Sequence, residues 1–120
     1  MSGPERQWRD ALVQGRLMLP REISTGRYFF PPRVGAPHTG GAWEWIEASG
    51  RGTVYSASIV HPKPPEAAYN VALVELDEGP RLMSRVEGVA PEQVVIGMKV
   101  VARIDRKGAE TLLLFDPATH

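Results

Sequence analysis

A chain of 120 residues with 42% hydrophobic content is long enough for one domain with its own core and a small appendage. Fourteen basic residues balance fourteen acidic ones, so no general positive field exists to hold a polyanion, which weighs against tight, sequence-independent nucleic-acid binding. The absence of cysteine removes disulfides and thiolate metal sites.

The first predicted element is a helix. In "PERQWRDALVQGRLML", residues 4–19, Trp8, Ala11, Leu12 and Leu17 recur at helical spacing. Ser2 is a candidate cap, Pro4 sits near the first turn and Gly15 ends the helix. About three turns of helix are marginal alone in water, so the helix is expected to dock through Trp8 and Leu12. Trp8 packs either on its own domain or on a partner protein, where buried tryptophans act as anchors.

The next stretch, "GRYFFPPRVGAPHTGGAWEW", covers residues 26–45. Gly26, Pro31, Pro32, Gly35, Pro37, Gly40 and Gly41 mark it as turns and connections. Five aromatics also lie in it: Tyr28, Phe29, Phe30, Trp43 and Trp45. Disordered linkers are poor in aromatics, so the stretch reads as ordered irregular structure with short strands.

From about Glu44 to Pro117 the chain reads as strands. "GTVYSASIV" alternates, with Val54, Ser56, Ser58 and Val60 on one face and Tyr55, Ala57 and Ile59 on the other. "NVALVELDEG" sets Val71, Leu73 and Glu75 opposite Ala72, Val74 and Leu76, and runs through Asp-Glu-Gly into "PRLMSRVEG" as a hairpin. "APEQVVIG" reads as one helical turn opened by Pro91. "MKVVARIDRKG" points Val100, Ala102 and Ile104 inward, and Lys107-Gly108 turns it into "AETLLLFDP" as a second hairpin. About five main strands with one short helical insertion fit a small, partly open barrel of the OB type.

No catalytic set emerges. The histidines are His38 in the turn-rich stretch, His61 at a strand end and the terminal His120. No nucleophile elbow is present. Glu75 and Asp77 share a strand face near a turn, an ordinary place for solvated carboxylates. "SGRGT" precedes a strand, not a helix, so it is no dinucleotide loop. Its glycines are expected to let the strand bend or bulge. "PKPPEAAY" is a stiff loop of the kind that borders binding faces in small barrels.

Five words now stand in order: "GRYFFPPR", "SGRGTVYSASIVH", "YNVALVELDEGPRL", "IGMKV" and "FDPA". Together they resemble the acyl-CoA-associated OB-fold family, catalogued as domain of unknown function 35, over about residues 8–118. The resemblance implies an N-terminal helix (1–20), a rubredoxin-like zinc ribbon (21–45) and an OB barrel (46–120). It also implies a departure. Where the family carries two Cys-x-x-Cys knuckles, this chain has Glu22, Thr25, Ala36 and Thr39. Three of these offer nothing comparable to thiolate, so no structural zinc is expected. The ribbon must then hold its shape through Tyr28, Phe29, Phe30, Trp43 and Trp45 and through partner contacts.

The resemblance further implies a non-catalytic accessory subunit of a thiolase-superfamily enzyme, either a thiolase or a lipid-transfer-protein-like retro-aldol lyase. Its complex would act on acyl-CoA, for example in steroid side-chain degradation, and would hold two copies of each chain. The expected partner interface is Trp8, Tyr28, Phe29, Phe30, Pro32, Arg33, Trp43 and Trp45. Arg27, Arg33 and Arg51 are candidates for CoA phosphates, since guanidinium forks suit them. No cofactor of its own is expected. Two other readings are a single-stranded nucleic-acid-binding OB module and a stand-alone thioesterase using Asp77 or His61. The polar N-terminus and the lack of any apolar run approaching about 18 residues point to the cytoplasm, with no membrane partner.

Overall fold

The computed structural model describes residues 3–107 and 109–118, with Lys107 described by its backbone alone. Ser2, Gly108 and His120 lie outside the described residues. The chain divides into two compact units. The first runs to Ser49 and takes in Glu78–Pro80; the second holds Gly50–Asp77 and continues from Arg81.

The first unit opens with α1 (Pro4–Val13), whose N-cap residue is Gly3 with no side-chain cap. Proline at the helix start suits a position whose N–H has no helical acceptor. Leu12 is its buried residue, as the helical spacing predicts. Leu17 lies beyond the helix, in a buried run that leads into β1 (Met18–Glu22). β1 pairs antiparallel with β2 (Trp43–Glu47), from Met18 opposite Glu47 to Glu22 opposite Trp43. Leu19 is fully buried in this pair. These two strands lie across positions 20/21 and 45/46.

The second unit is a curled five-stranded antiparallel sheet in the order β5-β4-β3-β6-β7, consistent with an OB-fold. Its strands are β3 (Arg51–Val60), β4 (Tyr69–Leu76), β5 (Arg81–Ser84), β6 (Lys99–Lys107) and β7 (Glu110–Pro117), with a 3-10 turn at Pro91–Gln93. Both predicted hairpins form: β4 pairs with β5, and β6 with β7. The sheet curls far enough for its ends to meet. Beyond β5, Val86 bridges Phe115 of β7. Phe115 N–H donates to the Arg85 carbonyl at 3.0 Å, and Glu87 N–H donates to the Phe115 carbonyl at 2.8 Å. The core inside the curl is Phe115, Val54, Val74, Leu76, Val86 and Val100.

Alternation in β4 falls as expected, with Asn70, Ala72, Val74 and Leu76 buried. In β3 it does not. A bulge between Val54 and Ser56 leaves Tyr55 as an extra residue, so Val54 faces Val74 but Ser56 faces Leu73. Paired residues share a face, and one inserted residue inverts the alternation beyond it. Val54 therefore shares its face with Ala57 and Ile59, not with Ser56 and Ser58.

The glycine before the bulge has a separate task. A Cβ on Gly52 would lie 2.8 Å from the Glu75 carbonyl oxygen and 2.8 Å from Val74 Cγ1. Gly52 thus lets β3 approach β4 at a point where neither neighbour can move cheaply. Gly52→Ala is expected to cost about 1–3 kcal/mol, the usual range for overpacking. Urea unfolding monitored by circular dichroism checks it, and a variant as stable as wild type would contradict the close approach.

Candidate functional site

The stretch between β1 and β2 is built from two turns of the same design. In the first, Glu22 N–H donates to the Arg27 carbonyl and Gly26 N–H to the Glu22 carbonyl, both at 2.8 Å. In the second, Ala36 N–H donates to the Gly41 carbonyl at 3.0 Å and Gly40 N–H to the Ala36 carbonyl at 2.8 Å. Gly26 and Gly40 occupy matching places with φ of 73° and 67°, a region that costs glycine little. Thr25 and Thr39 match as well. Each hydroxyl oxygen accepts the backbone N–H two residues on, from Arg27 at 3.2 Å and from Gly41 at 3.0 Å.

The two turns meet on one carboxylate. Glu22 is 5% exposed. Its Oε1 accepts the Thr25 hydroxyl at 2.8 Å, and its Oε2 accepts the Thr39 hydroxyl. These bonds favour the ionised form, the Thr39 bond most and the Thr25 bond next. The nearby Arg27 charge adds to them, and together they hold Glu22 below the ordinary carboxylate value against the effect of burial. Ala36, at the remaining ligand position, is 3% exposed.

A zinc ion, which the family's ribbon implies, does not fit these residues. Both carboxylate oxygens are engaged by hydroxyls, and two threonines with an alanine do not supply the remaining donors of a tetrahedral site. His38 is exposed beside this cluster. Among the described residues, no three His, Asp or Glu gather into a cation-binding group. The polar bridge does for the two turns what a shared metal would do: it ties them to one point. The sequence signal for it was present, because all three bridging residues occupy ligand positions. It went unread because aromatics and partner contacts were expected to hold the ribbon.

The aromatics pack chiefly on one another. Trp8 meets Phe30 edge-on at 5.3 Å, so the helix docks on the ribbon within its own unit. Phe29 meets Trp43 at 5.7 Å, and Trp43 meets Trp45 at 4.8 Å, both edge-to-face. Trp43 Nε1 donates to the Val34 carbonyl and Trp45 Nε1 to Gln7 Oε1, both at 3.1 Å. Tyr28 lies under the Arg21 guanidinium at 5.8 Å. All five ribbon aromatics, Trp8 and Pro32 are half-buried.

Arg27 and Arg33 are exposed in the first unit. Arg51 is exposed in the second, with its Nε 3.6 Å from Asp77 Oδ2. Two apolar residues escaped the sequence reading. Val34 is 89% exposed and Ile23 is 60% exposed, both in the ribbon. Glu75 and Asp77 are each ion-paired, to Arg81 and to Arg51, which suits a solvated face rather than acid–base work. In the second unit, Arg81 lies 3.7 Å over the Tyr55 ring and Arg85 lies 4.4 Å over Tyr69. One face of each tyrosine is thereby already covered, which weakens the case for base stacking.

A family model described as the ChsH2 C-terminal OB-fold domain matches residues 45–105. The chain belongs to this OB-fold family. A DUF35 domain-containing scaffold protein of Methanocaldococcus jannaschii is 34% identical over 119 residues, covering 92% of this chain and 84% of the relative. A probable enoyl-CoA hydratase alpha subunit of Thermomonospora curvata is 40% identical over 116 residues, covering 92% of this chain but 36% of the relative. The chain thus spans little over a third of that longer protein. Among solved structures, the Ltp2-ChsH2(DUF35) aldolase holds a chain with a TM-score of 0.87 and 38% identity, covering 99% of this chain and 98% of that one. A DUF35 protein of Sulfolobus solfataricus shares the fold with a TM-score of 0.69 at 20% identity. No described helix is long and apolar enough to cross a membrane.

Proposed function

We propose that the chain is a non-catalytic accessory subunit of an enzyme acting on acyl-CoA thioesters. Its partner in this reading is a thiolase-fold enzyme of the lipid-transfer-protein type, and the assembly contains two copies of each chain. The observation that carries the proposal is the near end-to-end likeness to the DUF35 chain of an aldolase complex. Relatives named as hydratase alpha subunits, one of them for a steroid acyl-CoA in Mycobacterium tuberculosis, support acyl-CoA as the substrate of the complex. In this reading the complex cleaves a carbon–carbon bond by a retro-aldol route, which the likeness to a chain of an aldolase supports. A cytoplasmic location goes with this reading. So does a division into helical arm (1–20), ribbon (21–45) and barrel (46–120).

The partner surface in this proposal is the ribbon. Its aromatics, Tyr28, Phe29, Phe30, Trp43 and Trp45, with Pro32 and with Trp8 of α1 against Phe30, give a half-buried aromatic patch. Half-buried aromatics are what interface centres use. Ile23 and Val34 extend the patch as exposed apolar points, with Arg33 and Arg27 beside them. Arg27, Arg33 and Arg51 remain the residues proposed to meet CoA phosphates.

Val34→Asp tests this without touching the fold, because the side chain is exposed. In co-expression with a thiolase-fold partner, recovery of the complex is expected to fall about tenfold or more, the size of a modest hot-spot loss. Lys63→Glu, on the exposed loop of the second unit, is expected to leave recovery unchanged. Equal recovery of both variants would remove the ribbon as the docking surface.

A further inference from the structure

β3 is covered on both edges only at its beginning. Residues 51–53 pair with β6. Val54 N–H then donates to the Met98 carbonyl, and Gly97 N–H to the Val54 carbonyl, both at 2.9 Å. From Ser56 to Val60 the strand pairs with β4 alone. Among the described residues, no backbone bond reaches its other edge along residues 55–60. Tyr55, Ser56, Ala57, Ser58 and Ile59 are all exposed.

Proteins normally blunt such an edge with lysine, proline or a covering loop. None of these five residues is charged or proline. The bulge at Tyr55 twists the strand at the start of the open edge, and the five residues beyond Val54 lie uncovered. Ala57, Ser58 and Ile59 line a groove of about 360 Å³ together with Pro91, Glu92 and Val94. Val95 and Ile96, next in the chain, are 55% and 73% exposed.

We propose that this groove takes an extended segment of a partner protein as an added strand on β3, with small or apolar side chains and one lysine or arginine opposite Glu92. The row of unpaired backbone donors and acceptors selects a strand rather than a helix. Ala57 and Ser58 leave room for the added strand's own side chains. Glu92 is the one charged residue lining the groove, and charge complementarity selects a basic side chain. The proposal does not depend on which enzyme the ribbon docks on.

The test uses the full chain and fluorescein-labelled peptides of sequence VTVKVTV and VTVEVTV, read by polarization. Amide hydrogen exchange is followed in parallel at residues 55–60. The lysine peptide is expected to bind up to about fivefold more tightly than the glutamate peptide, the worth of one exposed ion pair. Glu92→Lys, a change at an exposed residue, is expected to reverse the order. Exchange at residues 55–60 is expected to slow with bound peptide. Equal binding of both peptides by both proteins, binding without that protection, or no binding at millimolar peptide would overturn the proposal. Protection that grows with protein concentration and needs no peptide would also overturn it, by making the occupant a second copy.

Discussion

Asn70→Ala is expected to lower the unfolding free energy by about 2–4 kcal/mol, which in a chain of this size is a fall in Tm of about 10–20 °C. Asn70 is 3% exposed in β4. Its amide Nδ2 donates to the Val86 carbonyl at 2.7 Å, and its Oδ1 accepts Val86 N–H at 2.9 Å. One side chain therefore satisfies both backbone groups of a residue that is itself 1% exposed. Val86 also bridges Phe115, so these bonds sit where the two ends of the curled sheet join. Truncation leaves a donor and an acceptor unpaired in the interior, each costing about 1–3 kcal/mol when buried. Asn70→Asp keeps the acceptor and loses the donor, and is expected to cost more than alanine if it stays ionised. Urea unfolding of the three proteins checks the ranking. An alanine variant within about 0.5 kcal/mol of wild type, the scale of an ordinary surface change, would show that the pair carries no stability.

The first unit is expected to loosen in acid through Glu22. Its two threonine bonds hold the folded-state pKa below the ordinary carboxylate value. A depressed pKa means that ionised Glu22 stabilises the fold above the unfolded value, about pH 4.3. That contribution is lost as pH falls through the folded value. All three tryptophans, Trp8, Trp43 and Trp45, lie in this unit, so their emission reports it alone. Wild-type emission is expected to shift red as pH drops below about 4.3. Glu22→Gln has no carboxylate to titrate, so it is expected to be looser at neutral pH and to show a flatter curve in that window. Added zinc is expected to move neither curve. A zinc-dependent rise in the stability of wild type would return the ribbon to metal.

Much of the second unit was legible because its signals are local. Asn70 to Leu76 alternates strictly, and a strand with one buried face must alternate. The hairpins were marked by Asp-Glu-Gly and Lys-Gly between alternating runs, although Gly108 itself lies outside the described residues. The helix was marked by Pro4 and by the spacing of Trp8 and Leu12. The face of β3 was misjudged for a reason of geometry. A bulge arises from how two strands meet, and "TVYSASIV" read alone contains no sign that Tyr55 will go unpaired.

The ribbon divides differently. From residue types alone came its turn glycines, its aromatic content and the exclusion of a thiolate site, since no arrangement can supply ligands that the chain lacks. What replaced the metal was decided by tertiary structure. Glu22 and Thr39 are 17 positions apart, and only the pairing of β1 with β2 and the repeat of one turn design bring both threonines to the same carboxylate. The exposure of Val34 and Ile23 and the open edge of β3 belong to the same class. Burial and strand pairing depend on what lies across from a residue, and the linear order of a single chain does not state that.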